Sequence, residues 1–135
     1  MAYWLLKTEP SDYSFDDLMR EGKSAWTGVK NALAQKHLRA MKAGDELLIY
    51  HTGEVKAVVG TGKVTREAYA DPTDKTGKRV AIDLAPIKRL ERPVPLAEIK
   101  ADKTFEEWAL VTIGRLSVVP TTKAQFERIL RMASA

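Results

Sequence analysis

Cysteine is absent from the 135 residues, which removes disulfides, a thiol nucleophile and thiolate metal ligands from consideration. Histidine is scarce: His37 and His51 are the two present, and neither falls in HExxH or another metal-ligand spacing. No GxSxG, Walker-type or GxGxxG pattern occurs, and Gly60-Thr61-Gly62 is only a fragment of one. No apolar run approaches the roughly 20 residues that a membrane helix needs, and the first residues lack the basic start and apolar stretch of a secretory signal. No metal, cofactor or membrane partner is therefore expected, and a reducing cytoplasm suits the composition.

What is present fits an ordinary folded chain, 44% hydrophobic and 30% charged. Its length points to a single domain over residues 1–135. The net charge of +4 is a mild excess whose distribution carries more information than its size. Between Gly28 and Gly44 the chain holds Lys30, Lys36, Arg39 and Lys42 and no acid. Lys75, Lys78 and Arg79 form a second basic cluster, and Arg128 and Arg131 lie near the end. Such patches are the electrostatic footprint of a polyanion-binding surface, or else a solvated face.

Local signals organise the chain. Tyr3 to Thr8 reads as a buried strand ended by Pro10. Ser14 to Asp17 has the form of a capping box opening a short helix that stops near Gly22, and Trp26 to Lys30 reads as irregular. Asn31 is a good N-cap for a helix to about Met41, with Leu33, Ala34, His37, Leu38 and Met41 facing inward and a cationic outer side. Glu46 to Thr52 and Lys56 to Glu67 read as strands, and Gly60 and Gly62 suggest a bulge in the second. Ala70 to Lys78 is a polar loop. Arg79 to Leu90 alternates as a strand until Pro86, which argues for an edge or bulge there. A short helix is expected after Pro95, another from Phe105 to Leu110 capped by Thr104, a strand from Arg115 to Val119, and a last helix to about Met132. Glu106-Glu107, like Asp16-Asp17, reads as a pair of first-turn charges. Successive strands with helices at both ends indicate α+β, with a small, partly open barrel at the centre.

Two stretches put large rings beside hydrogen-bonding groups: Tyr3-Trp4-Leu5-Leu6-Lys7-Thr8-Glu9-Pro10-Ser11 and Trp26-Thr27-Gly28-Val29-Lys30-Asn31. The rings either fill the core or wall a pocket for a flat, hydrogen-bonding ligand such as a nucleobase. Tyr50-His51-Thr52 follows an apolar strand at the kind of strand end where ligands bind. Arg115 and Ser117 share a face of an extended segment, able to address a phosphate and a base edge. No nucleophile, base and orienting group assemble into a catalytic set.

In this order the motifs resemble those of EVE domains, with Leu38 to Lys42, Glu67 to Thr73 and Arg115 to Pro120 completing the set. The resemblance covers nearly the whole chain. It implies a PUA-like curved pseudo-barrel of about five to six strands flanked by short helices, related to the YTH modules that read methylated adenine. It also implies a non-enzymatic reader that takes a modified base of DNA or RNA into an aromatic-lined pocket. Trp26 would then stack on the base, and Lys7, Thr8, Glu9 and Ser11 would address its edge. Asn31, Tyr50, His51 and Thr52 would line the rest, with Arg115 and Ser117 at the rim. Lys30, Lys36, Arg39 and Lys42 would contact phosphates. One stretch departs: Ala32-Leu33-Ala34-Gln35 stands where such domains often have Tyr-Gln-Ala-Arg, which would alter the ligand or its affinity. An enzyme using Glu9 or His51 as acid–base, and a protein-interaction module using the basic patches, are the rival classes.

Overall fold

A computed structural model describes residues 1–134, with strands β1 (Tyr3–Thr8), β2 (Ser24–Trp26), β3 (Glu46–His51), β4 (Ala57–Ala70), β5 (Val80–Pro95) and β6 (Val118–Thr121) in one sheet of order β2-β5-β4-β3-β1-β6, β1 in its interior. β1 pairs in parallel with β3 (Glu46–His51) and antiparallel with β6 (Val118–Thr121). Its residues Trp4, Leu5 and Leu6 are buried, as are Leu47 to Tyr50 in β3, because helices cover the sheet and leave these strands no solvent side. Burying each such side chain contributes roughly 1.5–3 kcal/mol before conformational entropy is deducted.

β4 (Ala57–Ala70) and β5 (Val80–Pro95) form a long antiparallel hairpin whose register shifts at several points, among them Val58/Gly60 and Thr61/Gly62. Such shifts bend and twist a ribbon. Gly60 is required for a second reason: a Cβ there would overlap the Phe15 ring. The expected strand end at Leu90 is not observed. β5 runs to Pro95, and Pro86 is accommodated because β2 (Ser24–Trp26) covers only Ile82 to Leu84 on that side. β2 replaces the expected irregular segment at its first residue and forms one edge of the sheet; β6 forms the other.

α1 (Phe15–Glu21) begins with the expected capping box, Ser14 and Asp17 bonding each other's backbone, and ends at Gly22 with φ 77°. α2 (Ala32–Ala40) is capped by Asn31, whose side-chain oxygen accepts from the Ala34 N–H. α3 (Leu96–Ala101) follows Pro95. The expected helix from Phe105 to Leu110 is instead a 3-10 turn, Lys103–Phe105, and then α4 (Ala109–Thr112), with Glu106 and Glu107 in the turn between them. Asp102, not Thr104, caps the first piece. The segment read as a strand from Arg115 begins its ladder only at Val118, so Arg115 lies in a turn. α5 (Lys123–Ala133) closes the chain with a Thr122–Gln125 capping box. The result is an α+β fold with one curved six-stranded sheet flanked by short helices, and no described helix is long and apolar enough to cross a membrane.

Candidate functional site

β1 ends at Thr8 in mid-sheet, and the chain turns there, the N–H groups of Asp12 and Tyr13 donating to the Glu9 carbonyl at 2.9 Å each. This turn, the edge strand β2 and the loop after it enclose an open cavity of about 450 Å³. That volume lies within the range of small-ligand sites. Its wall includes Lys7, Thr8, Glu9, Tyr13, Trp26 and Ser117. Trp26 is half-buried, and the Tyr13 ring meets it edge-on at 6.1 Å and 78°. Two perpendicular rings thus offer a face and an edge to one guest.

The loop carrying the Trp26 wall is fixed from behind by buried polar groups. Asp71 is 3% exposed, and its carboxylate accepts from the Gly28 N–H at 2.8 Å and from the Thr73 N–H and hydroxyl at 2.7 Å. Burial pushes its pKa up, but these three donors outweigh it and hold the carboxyl below its ordinary value. Gly28 has φ 75°, a conformation that favours glycine. Gln35, 4% exposed, donates to the Val29 and Val80 carbonyls at 2.8 and 3.1 Å and accepts from the Val80 N–H at 2.8 Å. It therefore ties the end of this loop to β5.

This exchange explains why α2 does not present the expected face. Gln35 turns inward because the backbone of Val80 needs partners, and Leu33 is left 39% exposed. Ala34, Leu38 and Met41 are buried as expected, and His37 is half-buried against the Trp4 ring at 5.8 Å.

Glu9 presents a fixed acceptor at the cavity. The Ser11 N–H and hydroxyl donate to its Oε2 at 2.7 and 2.8 Å, which holds the carboxyl below its ordinary pKa and keeps it ionised at neutral pH. Lys7 presents the complementary donor. Its ammonium bonds the Gly114 carbonyl at 2.9 Å and lies 5.8 Å from the centre of the Tyr50 ring, and burial lowers its pKa. The Thr8 hydroxyl donates to the Tyr13 carbonyl at 2.6 Å, leaving its oxygen able to accept.

The structure thus gathers Lys7, Thr8, Glu9, Trp26 and Ser117 around one cavity, with Lys30 on its wall. Ser11 stands behind Glu9 as its donor. Asn31 is spent as the α2 cap. His51, 9% exposed, is turned away, its Nε2 accepting from the Phe15 N–H at 3.0 Å and so fixing the start of α1. Tyr50 and Thr52 line a separate, smaller recess that also touches Lys7. Arg115 is exposed in the turn between Gly114 and Ser117 and lies outside the cavity wall. Lys36 and Arg39 on α2 and Lys42 just beyond it are exposed, but Arg39 donates to the Lys78 carbonyl at 2.8 Å and Lys42 lies 3.9 Å from Glu67. Sequence reasoning missed Tyr13, Asp71 and Gln35. Asp71-Pro72-Thr73 carried a signal, since Asp two residues before Thr is a turn-forming pair; Tyr13 carried none.

The family model for the EVE domain matches residues 2–132. Thymocyte nuclear protein 1 of Mus musculus is 32% identical over 164 residues, covering 96% of this chain and 73% of the relative. A Rhodopseudomonas palustris protein solved by NMR is 43% identical with a TM-score of 0.94, covering 99% of this chain and 94% of the other. Human THYN1 protein, solved in complex with 5-methylcytosine-containing DNA, is 28% identical with a TM-score of 0.92, covering 100% and 99%. The chain belongs to the EVE domain family.

Proposed function

We propose that this EVE domain is a reader that holds one modified base of a DNA strand, a methylated cytosine foremost, in the cavity beside Trp26. The observation that carries the reading is the half-buried Trp26 indole on the wall of an open cavity of about 450 Å³, with Lys7, Thr8, Glu9 and Ser117 around the same space. The complex of the human relative with 5-methylcytosine-containing DNA supports the choice of base.

The chemistry follows from the base edge. Cytosine offers an exocyclic amino donor, which an ionised carboxylate accepts, and ring acceptors, which an ammonium satisfies. Glu9 and Lys7 are these two groups. Ala25 and Val29 give the same cavity apolar surface on which a methyl group can rest. Extruding a base from a duplex costs a few kcal/mol, and stacking on an aromatic ring returns about 1–3 kcal/mol. The remainder falls to the edge contacts and to phosphate contacts from Lys30 and from Lys36 and Arg39 on α2.

Binding without conversion is the reading the groups favour. His51 is committed to the Phe15 N–H outside the cavity, and Glu9, held ionised by two donors, has no proton to give as a general acid. Calorimetric titration of DNA oligonucleotides carrying cytosine or 5-methylcytosine, with RNA counterparts, tests the proposal. Tighter binding of the methylated DNA, recovered chemically unchanged, is expected; equal affinity for the unmodified strand contradicts it.

A further inference from the structure

A smaller recess of about 210 Å³ adjoins the base cavity and differs from it in charge. Lys7, Lys56 and Lys100 lie on its wall, with Leu96, Leu110 and Val111 as apolar surface and no Asp or Glu. The base cavity, by contrast, has Glu9 and Asp12 beside its lysines. Lys7 belongs to both.

Tyr50 also lines the small recess. It is 3% exposed, yet its hydroxyl makes no hydrogen bond to any other described residue and is not sealed from solvent. Burial raises its pKa, so it remains a proton donor. Lys7 donates one of its three N–H groups to Gly114. The Leu96 N–H donates to the Lys56 carbonyl at 2.8 Å, which fixes the loop carrying Lys56 against the start of α3, the helix that carries Lys100. Lys56 itself has φ 47°, a conformation unusual for a non-glycine residue. Glu54 is exposed outside the wall, and the ionised Glu9 carboxylate, held by Ser11, lies against Gly53 where the two recesses meet, so three lysines face one carboxylate.

We infer that this recess is a phosphate subsite, seating the phosphodiester adjacent to the base held against Trp26. Three cations gathered around an unpartnered hydroxyl, with one carboxylate at the edge, leave a positive excess that suits an anion with multiple acceptor oxygens. The recess is too small for a drug-sized ligand but has room for a phosphate with part of its sugar, whose carbon face suits the apolar wall. Lys7 spans the two recesses as a nucleotide spans base and phosphate. The strand assignment rests on the base-reading proposal; the anion chemistry stands on its own. A free phosphate or a mononucleotide shares that chemistry.

Lys56→Ala combined with Lys100→Ala removes exposed side chains only, and Tyr50→Phe keeps the ring, so these variants retain the fold. The probes are a 5-methylcytosine DNA oligonucleotide, the nucleoside 5-methyl-2′-deoxycytidine, its 3′- and 5′-monophosphates, and inorganic phosphate. The double variant should bind the nucleoside like the wild type, bind the oligonucleotide severalfold more weakly, and lower the slope of log affinity against log salt by about one to two. Tyr50→Phe should weaken the monophosphates and the oligonucleotide and leave nucleoside binding unchanged. Loss of that slope without any nucleoside binding by the wild type would still support the subsite while removing the base reading. An unchanged salt slope in the double variant overturns the inference, and so does a double variant that loses inorganic phosphate but not oligonucleotide affinity, which would assign the recess to free anions.

Discussion

Trp4 and Trp26 look alike in the sequence, each an indole within a few residues of hydrogen-bonding groups, yet the fold places them in opposite settings. Trp4 lies on a central strand and is 8% exposed, its Nε1–H donating to Asp45 at 3.0 Å. Asp45 also accepts from the Ala2 and Lys42 N–H groups, and despite burial these donors hold its carboxyl below the ordinary value. Trp26 lies on a three-residue edge strand that pairs only with β5. One side of its ring is left to the cavity. Each tryptophan has a buried aspartate nearby, but Asp45 bonds its indole directly, whereas Asp71 bonds the Gly28 backbone and leaves the Trp26 ring free. Strand position, central or edge, decides whether each indole is sealed in the core or left facing a cavity.

Trp4→Ala should cost about 3–5 kcal/mol of stability, measured by urea unfolding, because it empties a sealed site. Trp26→Ala should cost distinctly less in the same assay, and comparable losses would contradict the distinction. In binding the order reverses: Trp26→Ala should weaken the methylated oligonucleotide by about 5- to 150-fold. Gly53→Ala sharpens the comparison at the open end. Gly53 has φ 73°, and a Cβ there would collide with the Glu9 carboxylate. It should lower stability by about 1 kcal/mol and weaken modified-base binding through displaced Glu9, whereas glycine replacement at Gly44, with open space around it, should leave binding intact.

The two ends should also separate with pH. Burial lowers the pKa of His51, whose Nε2 must stay unprotonated to accept from Phe15. Its contribution is complete above its ordinary value of 6.5 and is lost as pH falls from there towards the folded value. Asp45 also has a depressed pKa, so its contribution is present above 3.8 and lost only in stronger acid. Thermal melts between pH 7 and 5 should therefore show a small loss that His51→Gln, which can still accept, reduces, the remainder coming from His37, whose pKa burial also lowers.

Features encoded by neighbouring residues were legible. The Ser14–Asp17 box, the Gly22 stop, the Asn31 cap and the bulges at Gly60 and Gly62 all involve local chemistry, and each is where the pattern put it. Features that depend on distant partners were not. β2 has three residues, too short to show a period, and exists because β5 pairs with it. Gln35 turns inward for the sake of Val80, 45 residues away. At the site, Lys7, Thr8, Glu9 and Trp26 could be found from their motifs. That Tyr50 and Thr52 face another recess could not, since strand alternation gives a side but not what stands opposite it.

The indole N–H signals of the three tryptophans offer the most direct test of the central claim. Trp4 is bonded to Asp45 and Trp108 to the Pro120 carbonyl at 3.0 Å, so both serve as internal references. NMR titration with a 5-methylcytosine oligonucleotide should shift the Trp26 signal strongly and leave the other two nearly still. A bound state in which Trp26 does not move would contradict the account.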